Sequence, residues 1–172
     1  MRRGLWLLVT GLALLAGVFA SVYLNSGPVV TKKSAISLDQ IILPDLDGKE
    51  RSLGQWKGKV LLVNFWATWC PPCREEIPVF LSLRNQFSSA GFEVVGISID
   101  DVYKVIKFRD AQRIDYPLLS GEQKGMSVMA SLGNRMGGLP FSILYDRSGN
   151  AVDIKTGAYE QKELLSLIEK LL

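Results

Sequence analysis

The two cysteines are the side chains in this sequence whose spacing most clearly indicates chemistry. Cys70 and Cys73 are the only cysteines among the 172 residues, and Pro71 and Pro72 separate them. Two thiols at this spacing are close enough to form a disulfide, which closes a very small ring and opens again on reduction. We therefore predict reversible dithiol–disulfide exchange at Cys70 and Cys73.

Other uses of a cysteine pair fit this sequence less well. A metal site needs further thiolates or imidazoles, and the sequence has no histidine and no third cysteine. The lack of histidine also excludes zinc sites that need imidazole and nucleophiles that histidine activates. A purely structural disulfide usually closes a longer loop, because a very small loop removes little entropy from the unfolded chain. If the two cysteines were merely buried core residues, the prolines between them would have no explanation. We expect no organic cofactor.

The elements that flank the cysteines favour a reactive thiolate. An apolar run, Val60–Trp66, predicts a buried strand before Cys70, and a helical pattern begins near Arg74. Cys70 would then lie at the amino end of this helix, where free N–H groups and the positive end of the dipole stabilise a thiolate. Pro71 and Pro72 suit the first helical turn, where no N–H partner is needed.

A carboxylate on the same helix is the candidate proton carrier. Glu76 follows Cys73 at the spacing of an apolar stripe, whereas Glu75 falls on another side of the helix. The members of the stripe are Cys73, Glu76, Phe80, Leu83 and Phe87, with Ile77 beside them. Burial raises the pKa of a carboxyl group, so we expect Glu76 to take the proton from Cys73 and return it. The alternative is a solvated first-turn acid near the helix dipole, which describes Glu75 well.

The N-terminal segment is apolar and has a basic start. Leu5–Leu24 carries no charge and is long enough to span a hydrocarbon core, and Arg2 and Arg3 precede it. We predict an uncleaved anchor in residues 1–24, a linker in residues 25–36 and one globular domain in residues 37–172. A signal peptide that is cleaved before Ser21 is the alternative. Under both interpretations the domain is exported to a compartment where thiol–disulfide chemistry is active.

Strand and helix signals alternate after the linker. Asp47–Gly48 and Asp146–Asn150 mark two hairpin turns. The predicted strands are 40–43, 50–53, 60–66, 92–99, 116–119, 141–145 and 151–155, and the predicted helices are 74–89, 102–112, 124–132 and 160–172. This order predicts an α/β fold in which helices cover a central sheet, with an N-terminal hairpin extension and a central insertion.

The segment Phe65–Pro78 resembles the active-site segment of the thioredoxin superfamily, and more closely that of the membrane-anchored TlpA/ResA-like branch of bacteria. A second segment, Gly138–Asp146, also resembles this branch, and the likeness covers residues 37–172. The resemblance implies a thioredoxin fold with a mixed sheet, in which Cys70 is the exposed attacking thiol and Cys73 the resolving thiol.

The resemblance also indicates where a substrate would bind. Pro140 matches the family's cis-proline, which lies against the disulfide, and the backbone of Leu139 would pair with an extended substrate segment. Trp69, Pro71 and Pro72 are the other residues expected at this surface.

Two positions depart from the pattern of thioredoxins. Asn64 stands where thioredoxins carry an aspartate six residues before the first cysteine, so a buried acid would have to come from elsewhere. Glu76 matches a position at which the TlpA/ResA-like branch carries a glutamate. Phe141 and Ser142 follow Pro140 in place of the usual two threonines, which bears on substrate preference and not on the chemistry.

We therefore expect a thiol–disulfide oxidoreductase that reduces exported proteins, for example apocytochrome c or metal-site cysteines. A membrane-embedded thiol–disulfide donor would reduce Cys70 and Cys73 again. The expected location is the bacterial inner membrane, with a single N-terminal anchor and the catalytic domain on the periplasmic or extracytoplasmic side. We expect a monomer, and the scattered Lys and Arg behind the net charge of +3 argue against nucleic-acid binding.

Three alternative functions remain open from the sequence. A thiol oxidant would use the same two cysteines in the opposite direction. A copper-binding chaperone of the same fold would hold copper(I) between the two thiolates, although such domains usually add a histidine. A redox-inert interaction domain is the third alternative.

Overall fold

The computed structural model describes residues 37–172. The predicted anchor and linker, residues 1–24 and 25–36, lie outside the described residues. Within residues 37–172, no helix has the length and apolar character that crossing a membrane requires.

Seven strands and four helices alternate along the described chain. The strands are β1 (Ile42–Pro44), β2 (Glu50–Ser52), β3 (Val60–Trp66), β4 (Phe92–Ser98), β5 (Leu118–Ser120), β6 (Phe141–Tyr145) and β7 (Ala151–Thr156). The helices are α1 (Pro71–Phe87), α2 (Val102–Gln112), α3 (Gly125–Ser131) and α4 (Gln161–Leu171). Each predicted strand and helix is present, with boundaries that differ by a few residues at most.

Five strands form one mixed sheet in the order β5–β4–β3–β6–β7. β3, β4 and β5 are parallel, whereas β6 pairs antiparallel with β3 and β7 antiparallel with β6. Two apolar clusters cover the two faces of the sheet. This is the thioredoxin fold with a central mixed sheet, as the resemblance implied.

The central strand β3 positions the two cysteines. All seven of its residues are buried, because alternate side chains enter the two clusters. Val60, Leu62 and Trp66 pack in the same cluster as Cys70 and Cys73. Since the chain passes from β3 to α1 within four residues, the start of α1 lies at the carboxyl end of the strand.

The N-terminal hairpin extends the molecule beside the main sheet. Asp45 organises its turn, because the carboxylate accepts hydrogen bonds from the N–H groups of Asp47 at 3.1 Å and Lys49 at 2.9 Å. Gly48 completes the turn with a φ of 83°, a conformation that favours glycine. Asp45 also forms a single antiparallel bridge to Leu119, the middle residue of the edge strand β5.

Candidate active site

The two cysteines form a disulfide at the start of α1. The Cα atoms of Cys70 and Cys73 are 5.3 Å apart. Cys70 is the N-cap of the helix, and its sulfur accepts the backbone N–H of Cys73 at 3.4 Å. Pro71 and Pro72 occupy the first two helical positions, where a missing N–H leaves no hydrogen bond unmade. In the dithiol form, the same N–H and helix dipole would stabilise a Cys70 thiolate.

The disulfide is more enclosed than the resemblance implied. Cys70 is only 4% exposed and Cys73 is fully buried, so the expectation of an exposed Cys70 is wrong for this disulfide form. The physical reason is packing, because both sulfurs belong to the apolar cluster that contains Trp66 and Ile77. Of the two cysteines, only Cys70 retains contact with solvent, and a partner would therefore approach from its side.

The loop before Cys70 presents a large aromatic side chain. Trp69 is 63% exposed, and Pro71 and Pro72 beside it are also exposed. Thr68 anchors this loop through a hydrogen bond from its hydroxyl group to the carboxylate of Asp100, which is buried after β4. Trp69, Pro71 and Pro72 therefore form an exposed apolar surface around Cys70, and the hydrogen bond between Thr68 and Asp100 holds the loop that carries Trp69.

The Leu139–Pro140 segment lies at the same edge of the sheet as the disulfide. Phe65 pairs with Phe141, so the residue that precedes β6 and the loop that follows β3 emerge side by side. The Leu139–Pro140 peptide bond is cis, in agreement with the resemblance. Leu139 is half-buried against the cluster that contains both cysteines, whereas Pro140 is buried.

The side chain of Asn134 braces the approach to this cis peptide. Its Nδ2 donates to the carbonyl of Gly138 at 2.6 Å, and its Oδ1 accepts the N–H of Gly138 at 3.2 Å. Asn134 is itself buried, while Met136 at the tip of the intervening loop is 95% exposed. Sequence analysis did not identify this brace, because nothing in the local pattern distinguishes Asn134 from an ordinary loop residue.

Glu76 lies on the buried face of α1, as the spacing predicted. It is 2% exposed, and Cys73, Ile77, Phe80 and Leu83 share the buried face. Its Oε1 accepts Nδ2 of Asn64 at 2.7 Å, and its Oε2 accepts the backbone N–H of Tyr159 at 3.2 Å. Glu75 is exposed.

Burial raises the pKa of Glu76 from 4.5 to about 7. The N–H groups of Tyr159 and Asn64 and the ammonium group of Lys155 oppose this rise, because each of them stabilises the carboxylate. Glu76 therefore exchanges a proton near neutral pH, one helical turn away from Cys73. A carboxyl group with such a pKa can take a proton from a neighbouring thiol at neutral pH and can later release it.

Two residues that the sequence did not assign to the site complete this polar group. Asn64 is buried in β3, and its Nδ2 also donates to Oγ of Ser142 in β6 at 2.9 Å. The two residues are partners in the register of β3 and β6. Their departure from the thioredoxin pattern was the available signal. The contact of Asn64 with Glu76 depends on how α1 packs on β3, and its contact with Ser142 depends on the pairing of β3 with β6.

A shallow groove lies beside the start of α1. The groove has a volume of about 330 Å³ and is lined by Pro71, Arg74, Glu75, Phe108 and Gln112. In the described part of the chain, no group of three or more His, Cys, Asp or Glu side chains is arranged to hold a metal ion. The groove adjoins Cys70, because Pro71, which follows Cys70 in the chain, is one of the residues that line it.

Comparisons with known proteins identify relatives of the same kind. The profile of the AhpC/TSA family matches residues 37–154. The thiol-disulfide oxidoreductase ResA of Geobacillus thermodenitrificans is 28% identical over 165 residues, which cover 93% of this chain and 91% of that protein. ResA of Bacillus thuringiensis strain Al Hakam is 30% identical over 131 residues, which cover 76% of this chain and 73% of that protein. A crystal structure of a thiol:disulfide interchange protein of the thioredoxin family from Chlorobium tepidum TLS aligns with a TM-score of 0.68 and 28% identity, over 78% of this chain and 94% of that one.

Proposed function

The chain belongs to the AhpC/TSA family and is a thiol-disulfide oxidoreductase related to ResA, and from this premise we propose that Cys70 and Cys73 reduce disulfides in exported proteins. The observation that carries the proposal is the Cys70–Cys73 disulfide at the start of α1, with the proton-exchanging Glu76 on the same buried face. Cys70, Cys73 and Glu76 are the proposed catalytic residues.

The first step is attack on the partner. The thiolate of Cys70 attacks one sulfur of the partner's disulfide, so that bond breaks and a mixed disulfide forms between Cys70 and the partner. The other partner sulfur leaves as a thiolate and takes up a proton. The amino end of α1 and the N–H of Cys73 support this step, because they stabilise negative charge on the sulfur of Cys70.

The second step resolves the mixed disulfide. Cys73 gives its proton to Glu76 and attacks the sulfur of Cys70, so the mixed disulfide breaks and the Cys70–Cys73 disulfide forms. The second partner sulfur leaves as a thiolate and is protonated, and two electrons have passed to the partner. A membrane thiol–disulfide donor of the same chemical class would return two electrons to the chain before the next cycle.

Substrate contacts are proposed at the surface that surrounds Cys70. Trp69, Pro71 and Pro72 offer exposed apolar area, and the backbone of Leu139 beside the cis bond to Pro140 would pair with an extended segment of the partner. Apocytochrome c and proteins with metal-site cysteines are the proposed substrates, because each must have free thiols before it binds its haem or metal.

Reduction of a protein disulfide tests the activity. The purified chain with a thiol regenerant should reduce insulin, and Cys70→Ser should abolish this activity. Cys70→Ser retains a side chain of similar size at the N-cap, so a loss without a change in folding locates the chemistry in the sulfur. An active Cys70→Ser variant would refute the proposal.

The reduction potential of Cys70–Cys73 tests the direction. A reductant should have a potential near or below about −220 mV, whereas a strong oxidant lies near about −120 mV. Equilibration with glutathione or dithiothreitol, followed by quantification of both forms, gives this value. A strongly oxidising result would overturn the reductive direction and would leave the exchange chemistry intact.

We also propose that residues 1–24 anchor the chain in the bacterial inner membrane, with residues 37–172 on the periplasmic or extracytoplasmic side. The uncharged stretch Leu5–Leu24 and the preceding Arg2 and Arg3 support this proposal. Membrane fractionation and protease protection of the full chain, compared with a chain that lacks residues 1–24, test both points. Release of the full-length wild-type chain by alkaline carbonate would contradict an anchor.

A further inference from the structure

The most unusual feature of the apolar core is a buried polar group that joins three elements. Asn64 in β3, Ser142 in β6 and Glu76 in α1 are each at most 2% exposed. Asn64 and Ser142 lie on the face of the sheet that carries Leu62, Trp66 and Leu144, which pack with Cys73 in one cluster. Asparagine is disfavoured in the middle of a strand and is costly in a core unless its polar atoms are paired. The hydrogen-bond partners of the buried Asn64 amide therefore indicate what this residue does.

The amide of Asn64 binds Glu76 and Ser142 at the same time. Nδ2 carries two N–H donors, of which one is directed to Oε1 of Glu76 at 2.7 Å and the other to Oγ of Ser142 at 2.9 Å. Because Ser142 is the register partner of Asn64, the sheet itself fixes the amide plane. An amide that is held in this way can offer its donor to Glu76 in only one direction.

The carboxyl group of Glu76 is consequently held from two sides. Asn64 binds Oε1, and the backbone N–H of Tyr159 binds Oε2 at 3.2 Å. Cys73 and Glu76 lie one turn apart on the same face of α1, so the rotation of this carboxyl group decides whether one of its oxygens faces the thiol. A free carboxyl group would lose this orientation through rotation about its side-chain bonds.

We propose that Asn64 is a positioning residue that orients Glu76 for proton exchange with Cys73, and that Ser142 in turn holds Asn64. This inference rests on the proposed role of Glu76 as the proton acceptor. It gives a function to the buried asparagine at position 64. In this chain the acid is Glu76 on α1, and Asn64 on β3 supplies the hydrogen-bond donor that aligns it.

Other groups that face Glu76 set the pH range in which this arrangement operates. Lys155 in β7 stabilises the carboxylate, whereas burial opposes ionisation. The buried phenol of Tyr116 also lies within electrostatic reach of Glu76, and Tyr159 adds its N–H together with a hydroxyl group bound to Asp153. Removal of the Asn64 donor while these groups remain should raise the pKa of Glu76 further, because one stabilising contact to the carboxylate is lost.

The reaction with an aromatic disulfide separates the two chemical steps. The reduced full-length chain attacks 5,5′-dithiobis(2-nitrobenzoate) through Cys70 and releases one thionitrobenzoate. Attack of Cys73 on the Cys70 sulfur then releases the second. Asn64→Leu should slow the second release about tenfold at pH 6 and move the midpoint of its pH profile upward by about one pH unit, since a hydrogen bond to a charged group is lost. The first release should change by less than about twofold.

A double-mutant cycle distinguishes positioning from general damage. In a Glu76→Gln background, Asn64→Leu should slow the second release by less than about twofold, because no carboxyl group remains to be oriented. Val63→Ala is the matched control, since it opens a cavity on the opposite face of the same strand and should leave the pH midpoint unchanged. Ser142→Ala is a milder second variant that should shift the midpoint in the same direction by a smaller amount.

The outcomes are separable. Equal slowing by Asn64→Leu in both backgrounds, or an unchanged pH midpoint in Asn64→Leu, overturns the positioning role. If Asn64→Leu does not fold, an unchanged midpoint in Ser142→Ala overturns it instead. A Glu76→Gln variant with a normal second release refutes the proposed function of Glu76 itself and therefore also removes the role of Asn64.

Discussion

The pH dependence of stability follows from the burial of Glu76 and provides a quantitative test of the site. The pKa of this carboxyl group rises from 4.5 to about 7 on folding. Between these two pH values the unfolded chain ionises Glu76 and the folded chain does not, so the folded state binds more protons and the free energy of unfolding falls as pH rises. A pKa rise of this size corresponds to about 3 kcal/mol in the free energy of unfolding. This contribution is present below about pH 4.5 and is lost once the pH exceeds about 7.

Replacement of Glu76 by Gln isolates this contribution. The amide does not ionise, so the difference in the free energy of unfolding, variant minus wild type, should increase by about 3 kcal/mol between about pH 4.5 and pH 7.5. The amide also brings an N–H towards Asn64 or Tyr159, and this mismatch lowers the stability by a constant of about 1–3 kcal/mol. The slope of the difference with pH, and not its offset, is therefore the quantity to measure.

Urea denaturation of the oxidised protein at a series of pH values gives this slope. The disulfide form is suitable because neither cysteine then has an ionisable thiol. Glu75→Gln is the matched control, since it removes a carboxylate from an exposed position in the same helical turn and should retain the wild-type fall in stability. A difference between wild type and Glu76→Gln that stays constant across the pH range would refute the argument that Glu76 is buried and neutral below pH 7.

Three further predictions concern the surface and the loop around the disulfide. Cys73→Ala should accumulate mixed disulfides between Cys70 and partner proteins, because the resolving thiol is absent, and non-reducing electrophoresis with mass spectrometry would identify them. Trp69→Ala should lower kcat/KM for protein disulfides about tenfold and change the free energy of unfolding by less than about 0.5 kcal/mol, because the side chain is 63% exposed. Thr68→Val should lower the free energy of unfolding by about 1–2 kcal/mol in urea, since the buried carboxylate of Asp100 loses a donor.

Each of these predictions has its own control. Partner proteins that stay with the Cys73→Ala variant when Cys70 is also replaced would be held without a disulfide, because no cysteine then remains in the chain, and this would contradict trapping through Cys70. If Trp69→Ala slows reaction with a small aromatic disulfide as strongly as with proteins, Trp69 acts on the thiol and not on the partner. The exposed Thr156→Val variant controls for the loss of a hydroxyl group, and equal destabilisation by Thr68→Val would contradict an anchoring role.

Local pattern was sufficient to predict most of the fold. β3 and β6 coincide with the predicted strands, because uninterrupted apolar runs between turn signals leave little choice of boundary. The boundaries of α2 also agree with those predicted, since Asp101 caps its start through a hydrogen bond from the N–H of Lys104 at 3.1 Å. β5 is displaced by two residues from its predicted start, because its position depends on pairing with β4 and not on its own short sequence.

The candidate site could be predicted only in part. The position of Glu76 on the buried face of α1 follows from helical spacing alone. The partners of Glu76 do not, because Asn64 and Tyr159 reach it from a strand and from a loop that are distant in sequence. The near-complete enclosure of Cys70 was also beyond prediction, since it results from packing against the sheet in three dimensions.

The bridge between Asp45 and Leu119 has a consequence for the way in which this sheet can associate with other chains. An edge strand with free backbone groups can nucleate fibrous assembly by recruiting any extended chain that reaches it. β5 has only three residues, and the N-terminal hairpin already engages the central one. The hairpin thus covers this edge of the sheet, which lies two strands away from β3, so an extended chain near the disulfide finds few free backbone groups on β5 with which to pair.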